Sequence, residues 1–183
     1  MPHPLAAALS ALALAAAALA GCGATEPVDP APDTELSFAL NGEPWTANTD
    51  VEAVLTEPGL VVFAELRFDD RFPLRQGIGF AVPWRGTGVY PIIEHREGGR
   101  LQGGYVNEAD GDATIALYEP VGGAAERGGF EVTRYDEATG AIEGRFAGVF
   151  VVDSNYVRVT RRELSDTLRV TDGHFRAVVE DRR

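Results

Sequence analysis

Two histidines, His95 and His174, lie beyond the first 21 residues of this 183-residue chain, and they bound the chemistry it can perform. A nucleophilic triad needs serine or cysteine, histidine and an acid brought together. His174 follows Asp172-Gly173 on an expected turn, while Asp153 and Ser154 sit near a different loop. Nothing in that spacing enforces contact, and no G-x-S-x-G elbow is present; His174 is therefore expected as a solvated turn residue. Two separated histidines and a single cysteine do not build a zinc cage of standard spacing. Asn107-Glu108-Ala109-Asp110-Gly111-Asp112 offers oxygens that calcium could use, but it lacks the ordered positions and terminal bidentate glutamate of an EF-hand loop. An acidic β-turn is the expectation there, and a surface charge cluster at Asp69-Asp70 between Arg67 and Arg71. With 28 acids in the chain, chance carboxylate pairs are common, so a glycosidase pair carries little weight. Trp84, Tyr90, Tyr105 and Tyr118 could line a pocket or stack on sugar rings, with Trp84-Arg85-Gly86-Thr87-Gly88 as an exposed loop. The plainer expectation is that these rings cap the core or pack across strands. No catalytic residue, cofactor or metal ligand is assigned.

The cysteine is more informative. Leu5 to Ala20 is an Ala/Leu run broken only by Ser10, and it ends Leu19-Ala20-Gly21-Cys22. The first 21 residues carry no Asp, Glu, Lys or Arg. A short apolar segment followed by small residues reads as a secretory leader and cleavage site. The ending resembles the lipobox of bacterial lipoproteins, in which the cysteine thiol receives diacylglycerol and cleavage follows just ahead of it. The resemblance implies residues 1–21 as a signal-peptide helix and Cys22 as the lipidated first residue of the mature chain. A plain signal peptide or a short anchor are the alternatives, and the usual n-region Lys or Arg is missing. Acyl chains contribute about 0.8 kcal/mol per buried methylene, so two or three would hold the chain on a bilayer without a spanning helix. With one cysteine, no intrachain disulfide can form.

Residues 22–35 read as a tether. Gly23 to Thr34 holds three prolines, three acids and almost no bulky apolar group, too little to offset its ordering entropy. The net charge of -12 is unevenly placed. All 16 basic residues are arginine, and nine acids fall between Cys22 and Leu66 before the first of them. Anionic lipid would repel this part, which leaves anchoring to the acyl chains. The same balance argues against nucleic acid, which needs a basic surface. A multi-span membrane protein is excluded because no second apolar stretch reaches the ~18 residues required. Gly23, in place of the aspartate that retains lipoproteins at the inner membrane, favours the outer membrane.

Beyond Glu35, alternation with period two predicts a single antiparallel β domain over 36–181, a sandwich or open barrel of eight to ten strands. Leu36, Phe38 and Leu40 run into Asn41-Gly42, a strong hairpin signal, with Pro44 marking an edge. Leu60 to Phe68, Ile78 to Val82, Ala113 to Leu117 and Ile142 to Val152 alternate likewise. Asp136 to Gly140 reads as a type I turn closed by a left-handed glycine. Leu168 and Val170 are expected to enter a turn at Asp172-Gly173 before a last strand through Phe175, Ala177 and Val179. Arg161 to Leu168 is the best helical candidate, and a poor one.

Several landmarks resemble a family of small lipoproteins of Bacteroidetes-type bacteria, built from a lipobox, a short tether and one all-β domain. They are Phe38-Ala39-Leu40-Asn41-Gly42 with Trp45, Gly88-Val89-Tyr90, Phe130-Glu131-Val132-Thr133, Ile142-Glu143-Gly144-Arg145-Phe146 and Thr171-Asp172-Gly173-His174-Phe175. The resemblance implies fold and location, and transfers no catalytic or binding residue. The expectation is a lipid-anchored envelope protein whose β domain binds or builds without catalysis. An envelope hydrolase and a lipocalin-like carrier are the alternatives. The hydrolase predicts converging titratable groups in a cleft, and the carrier predicts an apolar cavity.

Overall fold

The period-two alternation is realised as twelve strands in the computed structural model, which describes residues 34–48, 51–68, 74–92, 95–97, 100–111, 113–121, 128–156 and 163–183. The leader, Cys22 and most of the tether lie outside the described residues, as do Asp69-Asp70, Asp112 and Arg161. In chain order the strands are β1 (Glu35–Leu40), β2 (Glu43–Thr46), β3 (Glu52–Thr56), β4 (Gly59–Arg67), β5 (Leu74–Val82), β6 (Gly88–Pro91), β7 (His95–Glu97), β8 (Arg100–Asp110), β9 (Ala113–Pro120), β10 (Gly129–Tyr135), β11 (Ala141–Val152) and β12 (Thr167–Asp181). Twelve exceeds the expected eight to ten because β6 and β7 have four residues or fewer, too short to show a period, and β8 lies where the composition reads as an acidic turn. The described residues hold no α-helix. Their one helical turn is a 3-10 turn at Ser154–Tyr156, and Leu168, the end of the helical candidate, is in a strand.

The all-β expectation holds, and pairing makes the architecture specific. One layer runs β2-β1-β12-β11-β10-β6 and the other β3-β4-β5-β8-β9. The long strands β11 and β12 belong to both layers. The C-terminal end of β11 turns away from β10 to pair with β9. The end of β12 passes β1 and pairs with β3 through Val179↔Ala53 and Glu180↔Val54. The ladder therefore returns to its start through β12-β3-β4-β5-β8-β9-β11, a closed circuit where the sequence had left an open barrel available. Closure removes two sheet edges that would otherwise present unpaired backbone groups. It also corrects the expectation of uniform antiparallel pairing, since β12 and β3 run parallel. Parallel partners need a long connection, and these two are separated by most of the chain.

Local chemistry sets the turns. Asn41 and Gly42 both have positive φ, 52° and 89°, as a type I′ hairpin requires. Pro44 sits on β2, an edge strand. At the β10–β11 turn the Asp136 carboxylate accepts the Ala138 N–H at 2.9 Å and the Thr139 N–H at 3.3 Å, and Gly140 takes φ 72°. Those two N–H groups hold the Asp136 carboxyl below its ordinary range.

The turn expected at Asp172-Gly173 is not one, because β12 runs unbroken from Thr167 to Asp181. Asp172 has φ 53° and sits in a bulge, where pairing with β1 jumps from His174 to Thr171 and pairing with β11 from Gly173 to Val170. A bulge adds one residue and reverses the inward parity. Leu168 and Val170 face in before it, Phe175 and Ala177 after it.

The layers meet across a ladder of rings. Phe80 of β5 lies 4.9 Å from Phe130 of β10 and 4.8 Å from Phe146 of β11. Phe130 stacks on Phe175 at 5.0 Å and 9°. Phe38 continues the run to Phe146 at 5.7 Å and to Trp45 at 4.5 Å. All six rings are buried, each contributing about 1.5–3 kcal/mol by removal from water.

Candidate functional sites

The outer face of the first layer carries the only described histidine side chain, and register places its neighbours. Ser37, His174, Arg145 and Glu131 form one cross-strand row over β1, β12, β11 and β10. Glu35, Arg176 and Glu143 form the next. Opposite charges face each other along both. Arg145 reaches Glu131 at 3.5 Å, while Arg176 and Arg134 share Glu143 Oε1 at 3.4 and 3.5 Å. A shallow depression of about 350 Å³ lies among them, and one of about 370 Å³ adjoins it beside Val89 and Asp172.

Within the first depression, Ser37 Oγ lies 3.1 Å from His174 Nε2, and Glu35 Oε1 lies 3.3 Å from the same nitrogen. The residue types are those of a nucleophilic triad, but the connectivity is not. A relay needs the acid on one ring nitrogen and the nucleophile on the other. Here Ser37 Oγ lies closest to the nitrogen that Glu35 also approaches, with Nδ1 farther at 3.4 Å, and the His174 and Glu35 side chains are about half exposed. The arrangement can hold a polar or charged group, and the imidazole pairs with Glu35 when protonated.

The structure does not bring together the residues that the sequence offered for such chemistry. Asp153 accepts from the backbone and side chain of Asn155 at 2.8 and 2.9 Å. It lies eight residues along β11 from Arg145, the cross-strand partner of His174, roughly 25 Å at a strand's rise. His95 is in β7. Ser37 and Glu35 were missed because a contact across 137 residues follows from β1–β12 pairing, which no local spacing encodes.

The aromatics divide. Tyr118 and Tyr90 are buried. The Tyr90 hydroxyl accepts the Arg85 N–H at 3.0 Å and donates to the Gly86 carbonyl at 2.6 Å, which pins the Trp84 loop. Trp84 packs edge-on against Tyr135 at 5.0 Å. Tyr105 is different: it faces outward from the second layer beside Phe63. Burial, and then the Glu65 carboxylate, hold its hydroxyl above the ordinary tyrosine value of 10.0.

Asn107 to Asp110 are strand residues of β8 rather than the expected acidic turn. Glu108 consequently points into the core and is fully buried. Its Oε1 accepts the N–H groups of Glu163 and Leu164, both at 3.0 Å, and its Oε2 accepts the Tyr118 hydroxyl at 3.1 Å. Those donors satisfy a carboxylate that water cannot reach, and they fix the segment entering β12 against the core. The alternation Val106-Asn107-Glu108 carried this signal. It was masked by the turn-like composition that follows. Among the described residues no group of three His, Cys, Asp or Glu is gathered to hold a metal ion, and no helix is long and apolar enough to cross a membrane.

No protein-family model matches the chain, and neither a curated protein nor a solved structure matches it.

Proposed function

We propose that this chain is a lipid-anchored protein of the bacterial envelope, of the Bacteroidetes-type family its landmarks resemble, whose β domain binds or builds without catalysis. The observation that carries the anchor is Leu19-Ala20-Gly21-Cys22, the sole cysteine placed at the end of an uncharged apolar run. The acidic, proline-rich stretch to Thr34 then spaces the first strand from the headgroups. Gly23 directs the anchored chain to the outer membrane.

The reading of the β domain as a binding or structural module is supported by its interior. Positions that a lipocalin-like carrier would leave open are occupied by Phe38, Phe80, Phe130, Phe146 and Phe175 in contact with one another. The groups free to meet a partner are then those of the two outer faces.

Growth of a bacterial host with an alkyne fatty acid, followed by fluorophore coupling, tests the anchor. The wild-type chain takes the label and sediments with outer membranes, while Cys22→Ala takes none. Label on both chains, or on neither, removes the reading.

A further inference from the structure

Phe63 on β4 and Tyr105 on β8 face each other across Gly79 of β5, in one cross-strand row on the outside of the second layer. Strands two apart are separated by roughly 9–10 Å, yet the ring centroids are 6.4 Å apart with planes inclined by only 23°. Glycine permits this. A β-carbon at Gly79 would stand 2.6 Å from Cε1 and Cζ of Tyr105, and one at Gly77 would stand 3.1 Å from Cε2 of Phe63. Tyr105 therefore occupies the place of the side chain missing at Gly79, and Phe63 shares the place of the one missing at Gly77 with Asn107 Oδ1; both rings are half-buried.

The surroundings of this pair differ on its two sides. In the next row toward one end, Val61 and Ala81 stand beside Gly103, giving a low apolar margin. Toward the other, Glu65 pairs with Arg75 at 3.3 Å and with Arg67 at 3.3 Å. Beneath that polar margin the buried atoms Arg75 Nε and Asn107 Oδ1 have no hydrogen-bond partner among the described residues. One is a donor and the other an acceptor.

We infer that Phe63 and Tyr105 form a stacking platform for the pyranose rings of a neutral glycan chain. The inference deepens the reading of the β domain as a binding module and rests on it. A pyranose ring presents a flat set of C–H bonds to an aromatic face and hydroxyls at its rim. Each hydroxyl both donates and accepts, which suits a margin offering guanidinium, carboxylate and amide together. Two rings close to parallel suit successive sugars of one chain. A nucleobase would also stack, but its phosphates would approach a chain of net charge -12. A phosphate, from nucleic acid or from lipid, would also have to displace Glu65 from Arg67 and Arg75, whereas an uncharged polymer leaves both pairs intact.

The detergent-solubilised full chain, run in native gels containing mixed-linkage β-glucan, xyloglucan or galactomannan, tests the platform. Retardation is expected in at least one gel, about tenfold weaker for Phe63→Ala and for Tyr105→Ala. It should stay within twofold for Tyr105→Phe, which keeps the ring, and for Arg169→Ala, an exposed residue of β12 on the opposite layer. Thermal unfolding of each variant separates loss of the platform from loss of the fold. Should the alanine variants not fold, the ring signals of Phe63 and Tyr105 in the labelled wild-type chain, titrated with cellohexaose, mannohexaose and a xyloglucan oligosaccharide, carry the test. Shifts confined to those rings and their neighbours support the platform. No retardation in any gel, retardation unchanged by both alanines, or no ring shift with any of the oligosaccharides overturns it. Cys22→Ala should bind glycan as the wild type does. Failure of fatty-acid labelling therefore strikes the envelope reading alone, and labelling without retardation strikes the platform alone.

Discussion

In the first layer the glycines of β11 and β12 lie beneath rings that point into the core; in the second, those of β5 lie beneath rings that point out, while Gly104 of β8 lies under the core ring of Phe80. Gly144 of β11 and Gly173 of β12 face inward, and a β-carbon at either would collide with Phe175 or Phe146. Their absent side chains are the space that the inner ring ladder fills. On the outer surface Gly79 of β5 does the same for Tyr105, and Gly77 for Phe63 together with the Asn107 side chain. The outer surface of the first layer is instead a lattice of paired charges around His174. The same device, a ring seated on bare backbone, thus serves packing on the inner faces and presents apolar surface on the outer face of β5. What decides its use is the side of the sheet on which the glycine falls.

The comparison is broken most sharply from the inside. Phe130→Ala removes a ring that contacts both layers and should cost about 3–5 kcal/mol in urea unfolding. A loss under 1 kcal/mol would show that the ladder does not hold the layers together. Glu108→Leu takes the Glu108 acceptor from the Glu163 and Leu164 N–H groups and leaves the Tyr118 hydroxyl only its longer bond to the Leu164 carbonyl at 3.4 Å among the bonds described, for a cost of about 2–4 kcal/mol. Hydrogen exchange should quicken at Leu164 ahead of global unfolding, and uniform exchange would count against a local clasp.

On the outer side of the second layer, Gly79→Ala forces Tyr105 off the sheet and should cost about 1–3 kcal/mol. It should also return the Tyr105 titration, followed by tyrosinate absorbance against Tyr105→Phe, toward 10.0. The sign for stability follows from the raised value. Between 10.0 and the higher folded value the unfolded chain has released a proton that the folded chain retains, so wild-type stability falls through that interval. The Tyr105→Phe chain should lack this component of the decline.

The smallest effect belongs to the charged face. Arg145→Ala breaks an exposed pair and should change stability by no more than about 0.5 kcal/mol, less still at high salt. A loss near that of Phe130→Ala would mean that the two faces of the first layer are not energetically distinct.

Much of the strand content was legible because side-chain alternation is a local property. Asn41-Gly42, Pro44 and Asp136 to Gly140 each took the conformation their chemistry demands. Asp172-Gly173 was misread because the pair suits both a turn and a bulge. The reversed parity between Val170 and Phe175 distinguishes them. Short β6 and β7 gave too few alternations to count. The Ser37–His174–Glu35 contact and the Phe63–Tyr105 approach were illegible for a different reason: each depends on which strands lie side by side.

By itself the sequence determined that the folded part is all β, where its tightest turns fall and which residues alternate inward. These follow from backbone sterics and from a period of two, which neighbouring residues settle among themselves. Tertiary structure decided that β11 and β12 close the layers into a circuit, that Glu108 is a buried clasp, and that glycines 77 and 79 seat rings outside. Those outcomes depend on pairing between distant segments, where the competition for core volume and backbone partners is resolved only once the whole sheet has closed.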